Sequence, residues 1–313
     1  MPLRREAGTE RAPHRPTGPV PWVLIAADAA YAWQSGHGLI KLPDSIFVLG
    51  SFGGWSLAPN GTILRWQTSV APRQHLVCHL RLVSGAVMLT KAPSNLGEDF
   101  YGPNGTVCQV ENFDQVNGVW QHSRYAIRHD GMWQHLRHEL LMRSSPSSPG
   151  AQFSPDGNLI AITVLLPDGL TTCVEVIDLR SGTDQRFDCA ELLGTGAWSP
   201  DGKRLLVQTY EEPFRGYHPA VIDLETGATN RIAEGPDRDA QVAHLQLLGW
   251  IDNRRLLGWR MQARRLGIWA VDVLDGQNSL LAEMRSPVIH RDLHYILMAP
   301  AAVQTGPHVL IGP

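Results

Sequence analysis

Neither the cysteines nor the charges of this chain mark out a chemistry. Its four cysteines are Cys78, Cys108, Cys173 and Cys189. None forms a Cys-x-x-Cys pair, and their spacings fit no zinc pattern. Charged residues are only 18% of the 313, and the net charge is −3. That balance provides no electrostatic footprint for nucleic acid and no polybasic membrane patch. Long apolar runs are missing as well. The first, Trp22 to Ala27, is stopped by Asp28 and is too short to span a bilayer. No Gly-x-Ser-x-Gly elbow, no phosphate-binding glycine loop and no dinucleotide fingerprint occurs. Serine peptidases built on such an elbow and nucleotide-dependent enzymes are therefore not expected, and no cofactor is.

Residues 1–19 read as a disordered tail, with Arg4, Arg5, Arg11 and Arg15 interleaved with Glu6 and Glu10 and little to bury. Residues 20–313 read as one domain. The run after the tail reads as a strand and the protein as cytoplasmic, with export on a signal segment or an anchor as the alternative.

What the chain does have is a degenerate repeat of an aromatic, a Pro, an Asp or Asn and a Gly. It stands at Tyr101–Gly105, Phe153–Gly157 and Trp198–Gly202, with weaker copies beginning at Leu57 and Trp250. The first residues lie 44, 52, 45 and 52 positions apart. One unit of this length is one four-stranded propeller blade.

The unit from residue 150 shows the logic. Ala151 to Ser154 is an inner strand, and Pro155-Asp156-Gly157 a tight turn in which Pro sets φ and Gly supplies a positive φ. Leu159 to Leu166 is nearly all apolar, as a strand buried on both faces must be. Thr171 to Leu179 is the third strand, Arg180-Ser181-Gly182-Thr183 a hairpin turn, and Gln185 to Cys189 the outer strand. The Ile-Asp-Leu segments at Ile177 and Ile222 repeat at the 45-residue offset of the two Ser-Pro-Asp-Gly turns. Five units begin near residues 54, 98, 150, 195 and 246. Strands around Trp22–Ala27, Ala30–Trp33, Ile46–Leu49, Leu293–Met298 and His308–Ile311 would build a sixth from both ends. The expectation is an all-β, six-bladed β-propeller of four-stranded antiparallel blades, closed by N- and C-terminal strands. Seven blades follow if 20–54 forms one alone. Cys173 and Cys189 lie at near-mirror distances from the 180–183 turn and could be cross-strand neighbours, as a disulfide after export or as free thiols.

The Ser-Pro-Asp-Gly turns followed by apolar strands, with the Ile-Asp-Leu hairpins, resemble TolB-like (WD-repeat-like) β-propellers. The match is specific over 150–235, fair over 54–145 and 245–285, and absent at the ends. No Trp-Asp dipeptide of true WD repeats occurs. The resemblance implies the fold and a habit of binding partners or peptides, and no reaction.

Alternate loops of a propeller lie on opposite faces. The short Pro-Asp-Gly and Asp-Leu-x-x-Gly turns share one. Longer, irregular loops occupy the other, where binding usually lives. Its candidates between second and third strands are Arg73 and His75, Asp114 and Asn117, Asp168, the segment Tyr210 to His218, and Arg264 with Arg265. Between blades lie Glu98 to Phe100, Ser144 to Pro149 and Glu234 to Asp239. The 210–218 loop leads, because Glu211, Glu212, Phe214, Arg215, Tyr217 and His218 mix contact area with polar anchors. Its bland alternative is a solvated hairpin whose aromatics pack on a neighbouring blade. His135 and His138 are three apart on an expected outer strand, where they would point to opposite sides, so no metal is assigned there. The repeated Asp156, Asp201 and Asp252 are expected to bond their own backbone.

Two readings follow. One is a non-catalytic scaffold engaging a protein or peptide partner through its irregular face. The other is a lyase or hydrolase acting on a small molecule at the channel mouth, with His218, Glu212 and Arg264 converging. An exported envelope or sugar-binding protein is a third, resting only on family habit.

Overall fold

The computed structural model describes residues 15–18, 20, 22–26, 30–34, 38–43, 53–57, 61–71, 74–91, 99–101, 107–111, 114–116, 119–121, 123–129, 132–142, 150–166, 171–210, 217–233, 245–262, 265–285 and 293–298. Among them every helix or strand is a strand, and all pairing between strands is antiparallel except one bridge. Strands β1 (Trp22–Ala26), β2 (Ala30–Gln34) and β3 (Gly38–Lys41) form a sheet with β26 (Leu293–Met298) in the order β26-β1-β2-β3. An N-terminal and a C-terminal strand are thus stitched together, with Trp22 opposite Met298 and Leu24 opposite Ile296. The third strand of this sheet is Gly38–Lys41. The strands expected at Ile46–Leu49 and His308–Ile311 fall outside the described residues.

Three further four-stranded sheets follow the same plan. They are β4 (Gly53–Leu57), β5 (Ile63–Ala71), β6 (Gln74–Arg81) and β7 (Val87–Lys91); then β18 (Ala190–Leu192), β19 (Arg204–Tyr210), β20 (Tyr217–Asp223) and β21 (Thr229–Arg231); then β22 (Gln246–Trp250), β23 (Arg255–Gln262), β24 (Arg265–Asp272) and β25 (Asn278–Arg285).

The expectation of six or seven separate four-stranded blades needs correction here. Among the described residues there are four such sheets. In place of two others stands one eight-stranded sheet. It comprises β8 (Asp99–Tyr101), β9 (Val107–Glu111), β12 (Ser123–His129), β13 (Met132–Met142), β14 (Ala151–Phe153), β15 (Leu159–Leu165), β16 (Thr172–Asp178) and β17 (Asp184–Asp188). The reason lies in two strand lengths. The three residues of β14 pair only with Ile160–Ile162, leaving the far half of β15 open. The eleven residues of β13 run on until Leu141 and Met142 pair with Leu165 and Val164. A separate small hairpin, β10 (Asp114–Val116) with β11 (Val119–Gln121), rises between β9 and β12.

The apolar run Ile160–Val164 is buried on both faces, as its composition requires. Ile160, Ile162 and Val164 pack with Ala151, Phe153, Cys173 and Ile177. Ala161, with Val174, Val176 and Phe187, faces the next unit and joins Leu205, Leu206, Val207 and Ile222. Full burial of each isoleucine contributes roughly 2 kcal/mol.

The units are also tied by side chains from one to the next. Trp198 Nε1 donates to Gln152 O at 3.0 Å, and Trp250 Nε1 donates to Ala197 O at 2.8 Å. In each case the indole of the motif's first residue bonds the residue just before the same position one unit earlier. Phe153, holding that place in its own unit, has no N–H to give. Gln152 adds a second tie, donating to Gly194 O at 2.8 Å and accepting from Ala197 N at 2.9 Å. Thr163 Oγ1, fully buried, accepts from Leu192 N at 3.0 Å.

At one place two inner segments touch backbone to backbone. Gly196 N donates to Leu248 O at 2.8 Å, and Trp250 N donates to Gly196 O at 3.2 Å. A Cβ on Gly249, whose φ is +148°, would lie 2.4 Å from Gly196 O. A Cβ on Gly194 would lie 2.5 Å from Leu248 O. Only glycine permits this approach.

Cys173 and Cys189 are not cross-strand neighbours. Cys173 faces Asp188 across the ladder, and Cys189 lies beyond it at a positive φ of 53°. Both are free thiols, as is Cys78. Burial pushes the Cys173 thiol up to about 11, so it stays protonated at neutral pH. Of the expected tail, residues 1–14 and 19 lie outside the described residues. Arg15 Nη1 donates to Ser84 O at 2.7 Å, and Val20 N donates to Gly61 O at 2.8 Å.

Candidate binding face

Hydrogen bonds between the two classes of short turn place them on one face. Leu179 N donates to Asn158 O, Leu224 N to Lys203 O and Val273 N to Arg254 O, at 2.9, 2.9 and 3.0 Å. The carboxylates on this face are consumed locally. Asp156 accepts from Ser154 Oγ at 2.6 Å and Asn158 N at 3.1 Å. Asp201 repeats the pattern with Ser199 Oγ and Lys203 N. Asp252 takes the N–H groups of Arg254 and Arg255, both at 2.8 Å. Burial alone would raise these three carboxyls, but the hydrogen bonds outweigh it and hold each below its ordinary value. In the hairpin turns Asp178 accepts from Arg180 N and Ser181 N, and Asp223 from Glu225 N and Thr226 N. These bonds, led by the backbone N–H groups, lower both carboxyls. The expectation that the repeated Asp serves its own turn therefore holds. Neighbouring turns are also knitted together. Asn253 Oδ1 accepts from Asp201 N at 3.1 Å, and Arg204 lies over the Trp250 ring at 5.1 Å. Lys203 pairs with Glu225 at 3.7 Å.

The opposite face carries the leading candidate segment. Tyr210 ends β19 and Tyr217 begins β20, directly opposite each other in the ladder. Their rings meet edge to face, with centroids 6.0 Å apart at 71°. Tyr210 is fixed from behind. Its hydroxyl accepts from Thr172 N and donates to Thr172 O at 3.2 Å, on the preceding unit. Tyr217 is 57% exposed, and His218, half-buried, lends its carbonyl to Thr209 Oγ1 at 3.2 Å. The base of the loop is thus a rigid aromatic pair, one ring anchored and one presented.

The other candidates are distributed as follows. Glu211, Glu212, Phe214, Arg215, Asp168 and Arg264 lie outside the described residues, as do Arg73 and Asn117. The convergence of His218, Glu212 and Arg264 lies there with them. His75 is not in a loop. It is the second residue of β6, opposite Ser69. Arg265 opens β24, opposite Gln262 and Arg285. Asp114 starts the small β10–β11 hairpin. Reading the sequence missed that hairpin because three-residue strands leave too short a pattern. It also missed the Tyr210 anchor, whose signal is only a Tyr at a strand end. Among the described residues no helix is long and apolar enough to cross a membrane.

No family model matches the sequence, and no curated protein matches it. Similarity appears in three dimensions. TolB from Acinetobacter baumannii aligns over 90% of this chain with a TM-score of 0.59 and 14% identity, and this chain spans 66% of it. A chain of a nidogen/laminin complex aligns over 90% with a TM-score of 0.55 and 12% identity, 98% of it covered. An uncharacterized Listeria monocytogenes protein aligns over 91% with a TM-score of 0.50 and 12% identity, 85% of it covered. At these identities the likeness is one of fold, and it agrees with the turn-and-hairpin repeat and the end-to-end closure: the chain is folded as a TolB-like β-propeller.

Proposed function

We propose that this chain is a non-catalytic propeller that engages a protein or peptide partner through its irregular face, around residues 210–218. One contrast carries the reading. The short-turn face spends its carboxylates on its own backbone, whereas the other face presents the exposed Tyr217 against the ring of Tyr210, which Thr172 anchors. A rigid, exposed aromatic costs little entropy to order and is the kind of group on which interfaces concentrate their energy. That one neighbour comes from a nidogen/laminin complex is in keeping with the fold serving protein contacts. A cytoplasmic location is part of the same reading.

The test is affinity capture from native extract, comparing the full-length protein with a variant carrying Arg215→Ala, Tyr217→Ala and His218→Ala. A partner held by the parent and lost by the variant is the expected result. A partner retained equally by both removes this face from the proposal. Turnover of a small molecule that the variant abolishes would replace binding with catalysis.

A further inference from the structure

The outer edge of the β4–β7 sheet differs from two other outer edges, β17 and β21. β17 reads Asp-Gln-Arg-Phe-Asp and β21 reads Thr-Asn-Arg, and charged or polar side chains of this kind discourage pairing with other chains. β7 reads Val-Met-Leu-Thr-Lys. It pairs with β6 on one side and is, among the described residues, the last strand of its sheet. Val87, Met88 and Leu89 are 39, 46 and 50% exposed, and Val83 in the preceding turn is 44% exposed.

Charge singles out the same unit. Between Asp44 and Glu98 the sequence contains no Asp and no Glu, while Arg65, Arg73, Arg81 and Lys91 fall within that stretch. The chain as a whole has a net charge of −3, so the excess of acid lies elsewhere. Two exposed guanidinium groups stand at one end of β7. Arg81 closes β6 next to the turn, and Arg15 reaches over Gly85 to bond Ser84 O. The edge is therefore apolar over Val87–Leu89, ends in Thr90 and Lys91, and is cationic beyond Val87.

We propose that the edge of β7 that no described strand covers receives an extended, acid-tipped segment of a partner protein by strand addition. Backbone groups of β7 pair with the segment, apolar side chains at alternate positions lie over Val87 and Leu89, and carboxylates beyond Val87 meet Arg81 and Arg15. In the antiparallel arrangement those carboxylates sit at the segment's C-terminal end. This surface is separate from the 210–218 loop.

The probe is a capped, fluorescein-labelled peptide, Val-Thr-Val-Thr-Val-Glu-Glu, titrated with the full chain and read by fluorescence anisotropy. Its counterparts carry Lys-Lys in place of Glu-Glu, or N-methyl groups on alternate residues. We expect the acidic peptide to bind at least tenfold more tightly than the basic one. N-methylation should abolish binding, and Arg81→Glu should reverse the charge preference. Leu89→Lys should weaken both, at an unchanged unfolding midpoint since both positions are exposed. Tyr217→Ala should leave the titration unchanged, which separates this proposal from the previous one. No binding, equal binding of both peptides, or binding that survives N-methylation overturns it. So does self-association of the chain that Leu89→Lys abolishes and the peptide does not displace, because the occupant would then be a second copy.

Discussion

A methyl group is enough to test the close backbone approach at Gly249. At Gly249 it would fall 2.4 Å from Gly196 O, in a backbone conformation of φ +148° that side chains rarely adopt. Neither neighbour is a flexible side chain, so relief requires the two inner segments to part and lose the Gly196 bonds to Leu248 and Trp250. Gly249→Ala should destabilise the fold by on the order of 3 kcal/mol or more. Gly182 also has a positive φ, +72°, but open space around its missing Cβ. Gly182→Ala should cost only about 1 kcal/mol, the local backbone term. Urea unfolding of the two variants measures the difference, and equal midpoint shifts would show that the close approach contributes nothing.

At the scale of turns and strands, the Asp residues of the repeat make stability depend on pH. The folded state holds Asp156, Asp201 and Asp252 below their ordinary value. Their contribution is therefore complete above the unfolded carboxylate pKa of about 4 and is lost as pH falls through the lower folded values. A variant with all three changed to Ala should melt below the parent at pH 7, and the gap should close as the pH is lowered past those values. A gap unchanged down to strong acid would mean that the charged form is not what the turns require. These turns were also what sequence could disclose best. Pro155-Asp156-Gly157 and its copy at Pro200 act through residue types with one dominant local use, and strands β14 to β17 fall within a residue or two of where those markers put them. The join of β13 to β15 was hidden, because it depends on how far one strand outruns another and not on any residue type. The candidate site was legible only as a loop of mixed chemistry between two tyrosines. That Tyr210 leans on Thr172 is a contact between units, and spacing along the chain does not encode it.

The whole molecule depends on one seam. Among the described strands β1 finds its inner neighbour in β26, and without it the edge from Trp22 to Ala26 loses that pairing and the buried Val23 and Ile25 lose cover. A chain ending at residue 292 should fail to form a cooperative monomer, eluting as aggregate in size-exclusion chromatography. A monomer with the parent's melting transition would show that the seam is dispensable.

The same seam sets a schedule for synthesis. Trp22 and Met298 are opposite each other yet 276 positions apart. At about 5–20 residues per second, β1 waits on the order of tens of seconds for β26 to be made. During that interval the nascent chain carries its most apolar N-terminal segment with one edge bare, so cellular factors that shelter emerging strands have their longest opportunity at residues 22–26.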